Sequence, residues 1–272
     1  MQGLGLSIAK QAYVDAVYPV DQNWWVGDGV NDYINGTDST PFIWTDVATQ
    51  DLSISFWIRI DSTSKKNQQI FCLSASESNT NNNWTIFYTA NSNRIYFRQR
   101  FGGSNHERYY ALHDDSNDTI TGITSPTNGW IASQRGNVND DGFVNITFTY
   151  DASSGSNGIK AYWNATELNV SGGYNIAEAS RTNFNPEFLG IGENVGNASP
   201  SAGVLGGAIN EIKLYSSVLS SSDVTSIYNS GRPLNASDVG VTSNLITEWE
   251  LDTDVTDSSG IYTTTNNGGT FS

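Results

Sequence analysis

The chain has 272 residues, a formal net charge of -15, and 37% hydrophobic but only 15% charged residues. Aromatics at 12% supply a large core and exclude a disordered chain, while the acidity disfavours phosphate backbones as partners, so no nucleic acid is expected. No run approaches the ~20 apolar residues of a membrane-spanning helix, and the single cysteine, Cys72 in the apolar run IFCLS, excludes an intrachain disulfide and reads as a buried thiol.

Residues 1–22 show no clear alternation and no basic stretch leading into an apolar one. They are expected to form an arm or a first edge strand, with no signal peptide. NWWVGDGVNDYI then gives two short strands around a Gly-Asp-Gly turn. The clearest strand is DLSISFWIRID. Leu52, Ile54, Phe56, Ile58 and Ile60 alternate with Ser53, Ser55, Trp57 and Arg59, which places one face in a core. QQIFCLSAS, NWTIFYTA, NRIYFRQRF and ERYYALHDD come next at short spacing, separated by Asn, Ser and Gly. FVNITFTYD alternates again, and NGIKAYWNATEL, PEFLGIGE and GAINEIKLYS continue the series. Many short strands with regular turn signals predict an all-β, antiparallel two-sheet sandwich or jelly roll.

One helix is expected near residues 220–230. Ser220 or Ser221 serves as N-cap, Asp223 lies in the first turn, and Val224, Ile227 and Tyr228 share a face; Gly231 and Pro233 end the helix. Two to three turns are too short to stand alone in water, so that face must dock on the sandwich.

The strand-then-helix run, Asn210 to Tyr215, Val218 to Ser220 and Ile227 to Gly231, resembles the closing element of laminin G-like, concanavalin A-like jelly rolls. GDGVNDYI (27–34), LSISFWIRI (52–60), FVNITFTYDASSGSNGIKAYWNATEL (143–168) and FLGIGEN (188–194) resemble that family's other motifs in family order. Phe143 and Asn145 stand where the family usually has Trp and His. The resemblance implies a concanavalin A-like jelly roll over 23–232 and a C-terminal tail, 233–272, packing on or extending from it. That tail is similar to the segments that come after such domains in structural proteins of tailed bacteriophages. The expected role is therefore a non-enzymatic virion protein, a capsid decoration or a tail or fibre component. It would sit on the outer surface of the virion and be made in the host cytoplasm. Its partners would be other virion subunits, with host-surface glycans and self-association as further options.

Two alternatives stand beside it. The first is a lectin-like carbohydrate-binding module, for which Trp84 and Trp130, read as loop residues, are the candidates to stack on sugars. The second is a glycoside hydrolase. In EWELD, Glu248, Glu250 and Asp252 alternate with Trp249 and Leu251, which sets three carboxylates on one strand face about 6.6–6.8 Å apart at their Cα atoms. Two of them could approach the ~5–5.5 Å of a retaining pair. The order of the acids differs from the family's E-x-D-x-x-E, and a solvated strand face with Trp249 and Leu251 packed inward is the stronger reading. The resemblance also implies calcium, with Asp28 and Glu211 at the matching positions and Asp32 close by. Calcium takes six to eight oxygens, and acids in turns are the competing explanation. The two histidines, His106 and His113, have no partner at metal-binding spacing.

Overall fold

The computed structural model describes residues 23–38, 50–60, 67–76, 81–89, 94–112, 143–174, 184–193, 203–231 and 233–272. They form two eight-stranded antiparallel sheets and one short helix. The first sheet runs β10 (Thr166–Glu167), β9 (Ile159–Trp163), β8 (Val144–Tyr150), β3 (Leu52–Ile60), β13 (Gly206–Tyr215), β1 (Trp25–Asp28) and β16 (Thr270–Phe271), with β14 (Leu245–Trp249) also paired to β13. The second runs β11 (Gly172–Tyr174), β7 (Ser104–Ala111), β6 (Arg94–Phe101), β5 (Asn83–Thr89), β4 (Asn67–Ser74), β12 (Phe188–Ile191), β2 (Tyr33–Asp38) and β15 (Tyr262–Asn267). No helix among the described residues is long and apolar enough to cross a membrane.

Period-two alternation builds the core between the sheets. β3 contributes Leu52, Ile54, Phe56, Ile58 and Ile60, and they meet Phe71, Leu73, Ile86, Tyr88, Ile95 and Phe97 of the second sheet in one cluster. The polar set of β3 points the other way but is buried too. Ser53 Oγ donates to Ser217 O and accepts from Leu219 N. Ser55 bonds Asn145 and Thr147 of β8. Trp57 is 1% exposed.

The cover over this outer face begins with the helix, α1 (Ser221–Tyr228). Ser220 caps it: its Oγ accepts from Asp223 N, and the Asp223 carboxylate accepts from Ser220 N. Such reciprocal caps contribute about 1 kcal/mol. Asn229 ends the helix in the left-handed region, at φ 45. Val224 and Ile227 pack on Tyr162, Tyr215, Leu219 and Val241, and Tyr228 stacks on Trp57 at 5.9 Å. The expected docking face is therefore the observed one.

The tail is part of the sandwich. β14 joins the first sheet, β15 borders β2 in the second, and β16 returns to the first beside β1. Trp249 is fully buried against Phe71 and Tyr262. The branch that admits β14 lies in β13, whose register to β3 shifts between Asn210 and Lys213. Glu211 adopts φ 51 there. Before this bulge β13 borders β1, and after it β14. Residues 1–22 lie outside the described part.

Candidate functional site

α1 covers part of the first sheet's outer face, and among the described residues the second sheet's outer face is the candidate surface for a ligand. The β6–β7 hairpin builds it. Along β6, Ile95, Phe97, Gln99 and Phe101 are buried, whereas Arg94, Tyr96, Arg98 and Arg100 face outward and are half-buried. Gly102 and Gly103, at φ 56 and 87, make the tight turn that β-hairpins favour. Pairing then sets Tyr96 opposite Tyr109 and Arg98 opposite Glu107. On the other side β5 sets Phe87 opposite Tyr96 and Thr89 opposite Arg94.

The result is a row of three rings across three strands. Phe87 and Tyr96 are stacked at 4.5 Å, and Tyr96 and Tyr109 lie 5.1 Å apart. Arg98 lies over Phe87 at 4.5 Å and Arg94 over Tyr109 at 4.6 Å. Arg98 Nε also donates to Glu107 Oε2. The row ends at Gly172 of β11, paired with Tyr109; a Cβ at Gly172 would collide with the Tyr109 hydroxyl. Around the row lies a groove of about 540 Å³, completed by Asn67, Gln69, Thr89 and Asn105. It offers guanidinium, amide and hydroxyl groups on an aromatic floor. Among the described residues that line it, Glu107 is the one carboxylate.

Sequence reasoning passed over these residues. The signal was present in NRIYFRQR, where alternation alone sends three arginines and a tyrosine to one face of a strand in an acidic chain.

The residues it did single out are placed differently. Trp84 lies within β5, not in a loop, and is 3% exposed against Phe184. It faces the core, so it has no open ring face for a sugar. Trp130 and His113 lie outside the described residues. His106 is buried on the core side of β7.

Asp28, Asp32 and Glu211 do not converge. Asp28 Oδ1 accepts from Val30 N and Asn31 N, and Asp32 Oδ2 accepts from Asp28 N. These are turn bonds. Asp28 pairs with Gly206 in the register of β1 with β13. Glu211 lies five residues further along β13, roughly 17 Å away at strand rise. Among the described residues no group of three His, Cys, Asp or Glu side chains is placed to hold a metal.

Glu211 instead bonds Lys213 Nζ at 2.6 Å, and Lys213 reaches Glu248 at 3.0 Å. All three are buried. Burial pushes the Glu211 carboxyl up to about 8 against the pull of Lys213, and the Glu248 charge raises it further. Glu248 also accepts from Ala236 N, which fastens the chain after α1 onto the sheet. EWELD thus divides as expected on one side only. Trp249 and Leu251 are buried in the core, but Glu248 is 5% exposed and fully engaged rather than solvated. Glu250, at the surface, is raised by partial desolvation and by its acidic neighbours Glu248 and Asp252.

A family model described as the concanavalin A-like lectin/glucanases superfamily matches residues 28–225. No curated protein matches. Among solved structures, a putative carbohydrate binding protein from Bacteroides ovatus is similar, with 14% identity and a TM-score of 0.54. The match covers 92% of this chain and 59% of that one, so the chain spans under two thirds of that protein. A heptameric SAP-like pentraxin from Limulus polyphemus is similar at 10% identity and TM-score 0.52, over 92% of this chain and 94% of the pentraxin.

Proposed function

The chain belongs to the concanavalin A-like lectin/glucanase superfamily, and from that premise we propose that it is a non-catalytic carbohydrate-binding protein whose site is the outer face of the second sheet. The groove over β5, β6 and β7 carries this reading. It joins half-exposed tyrosines to amide and guanidinium donors on rigid strands, in an open volume of about 540 Å³. Sugars present hydroxyl donors and acceptors at close spacing, and such a surface matches them. The name of the Bacteroides relative, a putative carbohydrate binding protein, supports the same class. The virion role expected from the sequence draws no support from these likenesses, and the lectin-like alternative replaces it as the leading reading.

Hydrolysis is disfavoured by Glu248. Its carboxylate is held by Lys213 and the Ala236 amide and is 5% exposed, so it is poorly placed to attack a sugar carbon as a retaining nucleophile must.

The test is affinity electrophoresis on a panel of neutral and acidic polysaccharides, with wild type beside Tyr96→Ala. Retardation by at least one polysaccharide is expected, weakened about ten-fold in the variant, as for a central contact residue. No retardation on any polysaccharide, or equal retardation of both proteins, sinks the proposal.

A further inference from the structure

We infer that the groove reads neutral saccharides through two hydroxyls on neighbouring ring carbons, and that the Arg98–Glu107 ion pair holds them. This rests on the carbohydrate-binding reading and names its ligand class.

The first observation is what the rings are doing. Phe87 has Tyr96 and Arg98 against it, and Tyr109 has Tyr96 and Arg94. Stacking of an apolar sugar face on an open ring is therefore not what this floor provides. A sugar must be held by its hydroxyls, and the rings serve to keep the polar groups in place.

The second observation is how the ion pair is built. Arg98 and Glu107 stand directly opposite each other on β6 and β7. Arg98 Nε donates to Glu107 Oε2, and the guanidinium lies 4.5 Å from the centre of the Phe87 ring. A ring under a guanidinium holds its plane and leaves its in-plane N–H groups for hydrogen bonding. Among the described residues, no group accepts from the two terminal nitrogens of Arg98 and none donates to Glu107 Oε1. Both side chains line the groove, Arg98 at 30% exposure and Glu107 at 4%. A carboxylate oxygen so enclosed is costly without a donor, and the groove is the side from which a donor can come.

The chemistry of the pair limits the ligand. A carboxylate only accepts and a guanidinium only donates. An anionic group brought here meets Glu107, and a cationic one meets Arg98. A hydroxyl both donates and accepts, so two hydroxyls side by side satisfy the pair without any charge on the ligand. The first gives its proton to Glu107 Oε1, and the second accepts from a terminal nitrogen of Arg98. Each bond has one ionised partner and is strong for that reason. The sugar ring fixes one pair and the paired strands fix the other, so little freedom is lost on binding.

Linkage then decides which polysaccharides fit. A (1→4)-linked pyranose chain keeps free hydroxyls on the neighbouring carbons C2 and C3 of every ring. In a (1→3)-linked chain C3 is used, and the ring hydroxyls left on C2 and C4 are not neighbours.

Depletion from solution by insoluble linear polysaccharides tests this. Amylose, β-(1→4)-mannan and β-(1→4)-xylan are compared with β-(1→3)-glucan and β-(1→3)-xylan. At least one of the first three should bind about ten-fold or more tightly than either of the last two, the factor of one bond to a charged group. That affinity should fall about ten-fold in Glu107→Gln and persist in Glu167→Gln, whose carboxylate meets Lys160 on the neighbouring strand of the first sheet. Melting temperatures report whether the variants fold; if Glu107→Gln does not, Arg98→Lys, which keeps a cation beside Glu107 but lacks the terminal nitrogens, takes its place. Equal or tighter binding to a (1→3)-linked chain, or wild-type affinity in the folded variant, overturns the inference and leaves carbohydrate binding standing. So does failure on all five in a protein that binds another polysaccharide of the panel. Failure on all five and on the whole panel overturns both.

Discussion

Replacing Glu211 by Gln removes one titrating carboxyl from a buried cluster that holds two carboxylates and one ammonium. Lys213 Nζ lies 2.6 Å from Glu211 and 3.0 Å from Glu248, and burial lifts the Glu211 carboxyl from 4.5 to about 8. The sign comes from proton counts. Between those values the folded chain holds a proton that the unfolded chain has released. Stability therefore falls as pH rises across the window, is complete below about 4.5, and levels off above about 8. The steepest slope for one group is about 1.4 kcal/mol per pH unit. Urea unfolding followed by tryptophan fluorescence at pH 5, 6, 7 and 8 gives the measurement. Wild type should lose stability over this range at a slope approaching that limit, and Glu211→Gln should be flatter by most of one proton. Glu250 and Asp252, which are also raised, contribute equally to both proteins and cancel in the comparison. Identical slopes would mean that Glu211 is ionised throughout and that the ammonium neutralises both carboxylates, which would refute the reasoning.

Two further variants probe how the sandwich is closed. Trp249→Ala should destabilise by about 3–5 kcal/mol, the cost of emptying a large buried site, because Trp249 is fully buried between Phe71 and Tyr262; denaturant midpoints measure it, and a loss under 1 kcal/mol would show that the tail is dispensable to the core. Ser220→Ala should cost about 1 kcal/mol and lower the melting temperature by about 2 °C, since it removes the hydroxyl that accepts from Asp223 N and donates to the Asp223 carboxylate; an unchanged melting temperature would place the stability of α1 wholly in its Val224 and Ile227 contacts.

Strands and helix were legible in the sequence because their signals are local. The alternation of β3 is written in consecutive residues, and the cap at Ser220 and the stop at Gly231 lie within one short run. The destination of the tail was not legible. Its strands pair with β13, β2 and β1, and nothing local in LITEW or YTTTNN says which sheet each joins. A bulge at Glu211 decides where β14 enters, and a glutamate in the left-handed region is not a pattern that propensity anticipates. The polar face of β3 shows a related limit. Ser53, Ser55, Asn145 and Thr147 look like a solvated face, but Ser217 and Leu219 take up the bonds of Ser53, and the other three bond one another. Alternation distinguishes two faces; it does not say which of them meets water.

That limit also explains why the candidate site was missed. Tryptophans read as loop residues are the candidates that the sequence offers, Trp84 among them, but Trp84 lies within β5. Its side of β5 is the core side. The ligand-facing side of β5 belongs to Phe87, and its neighbours come from β6 and β7 rather than from the adjacent sequence. A site made of one or two residues from each of several strands is invisible to a motif search, yet its arginines are not. Arg94, Arg98 and Arg100 recur at period two, with Tyr96 between the first two. In a chain with more than twice as many acids as bases, that spacing was the signal that marked this face of the strand. The covering of one sheet by α1 and the tail and the concentration of cations on the other are thus two halves of one arrangement. The first sheet's outer face is covered in part by α1 and the chain after it, and among the described residues the outer face of the second carries the arginines and tyrosines of the β6–β7 hairpin.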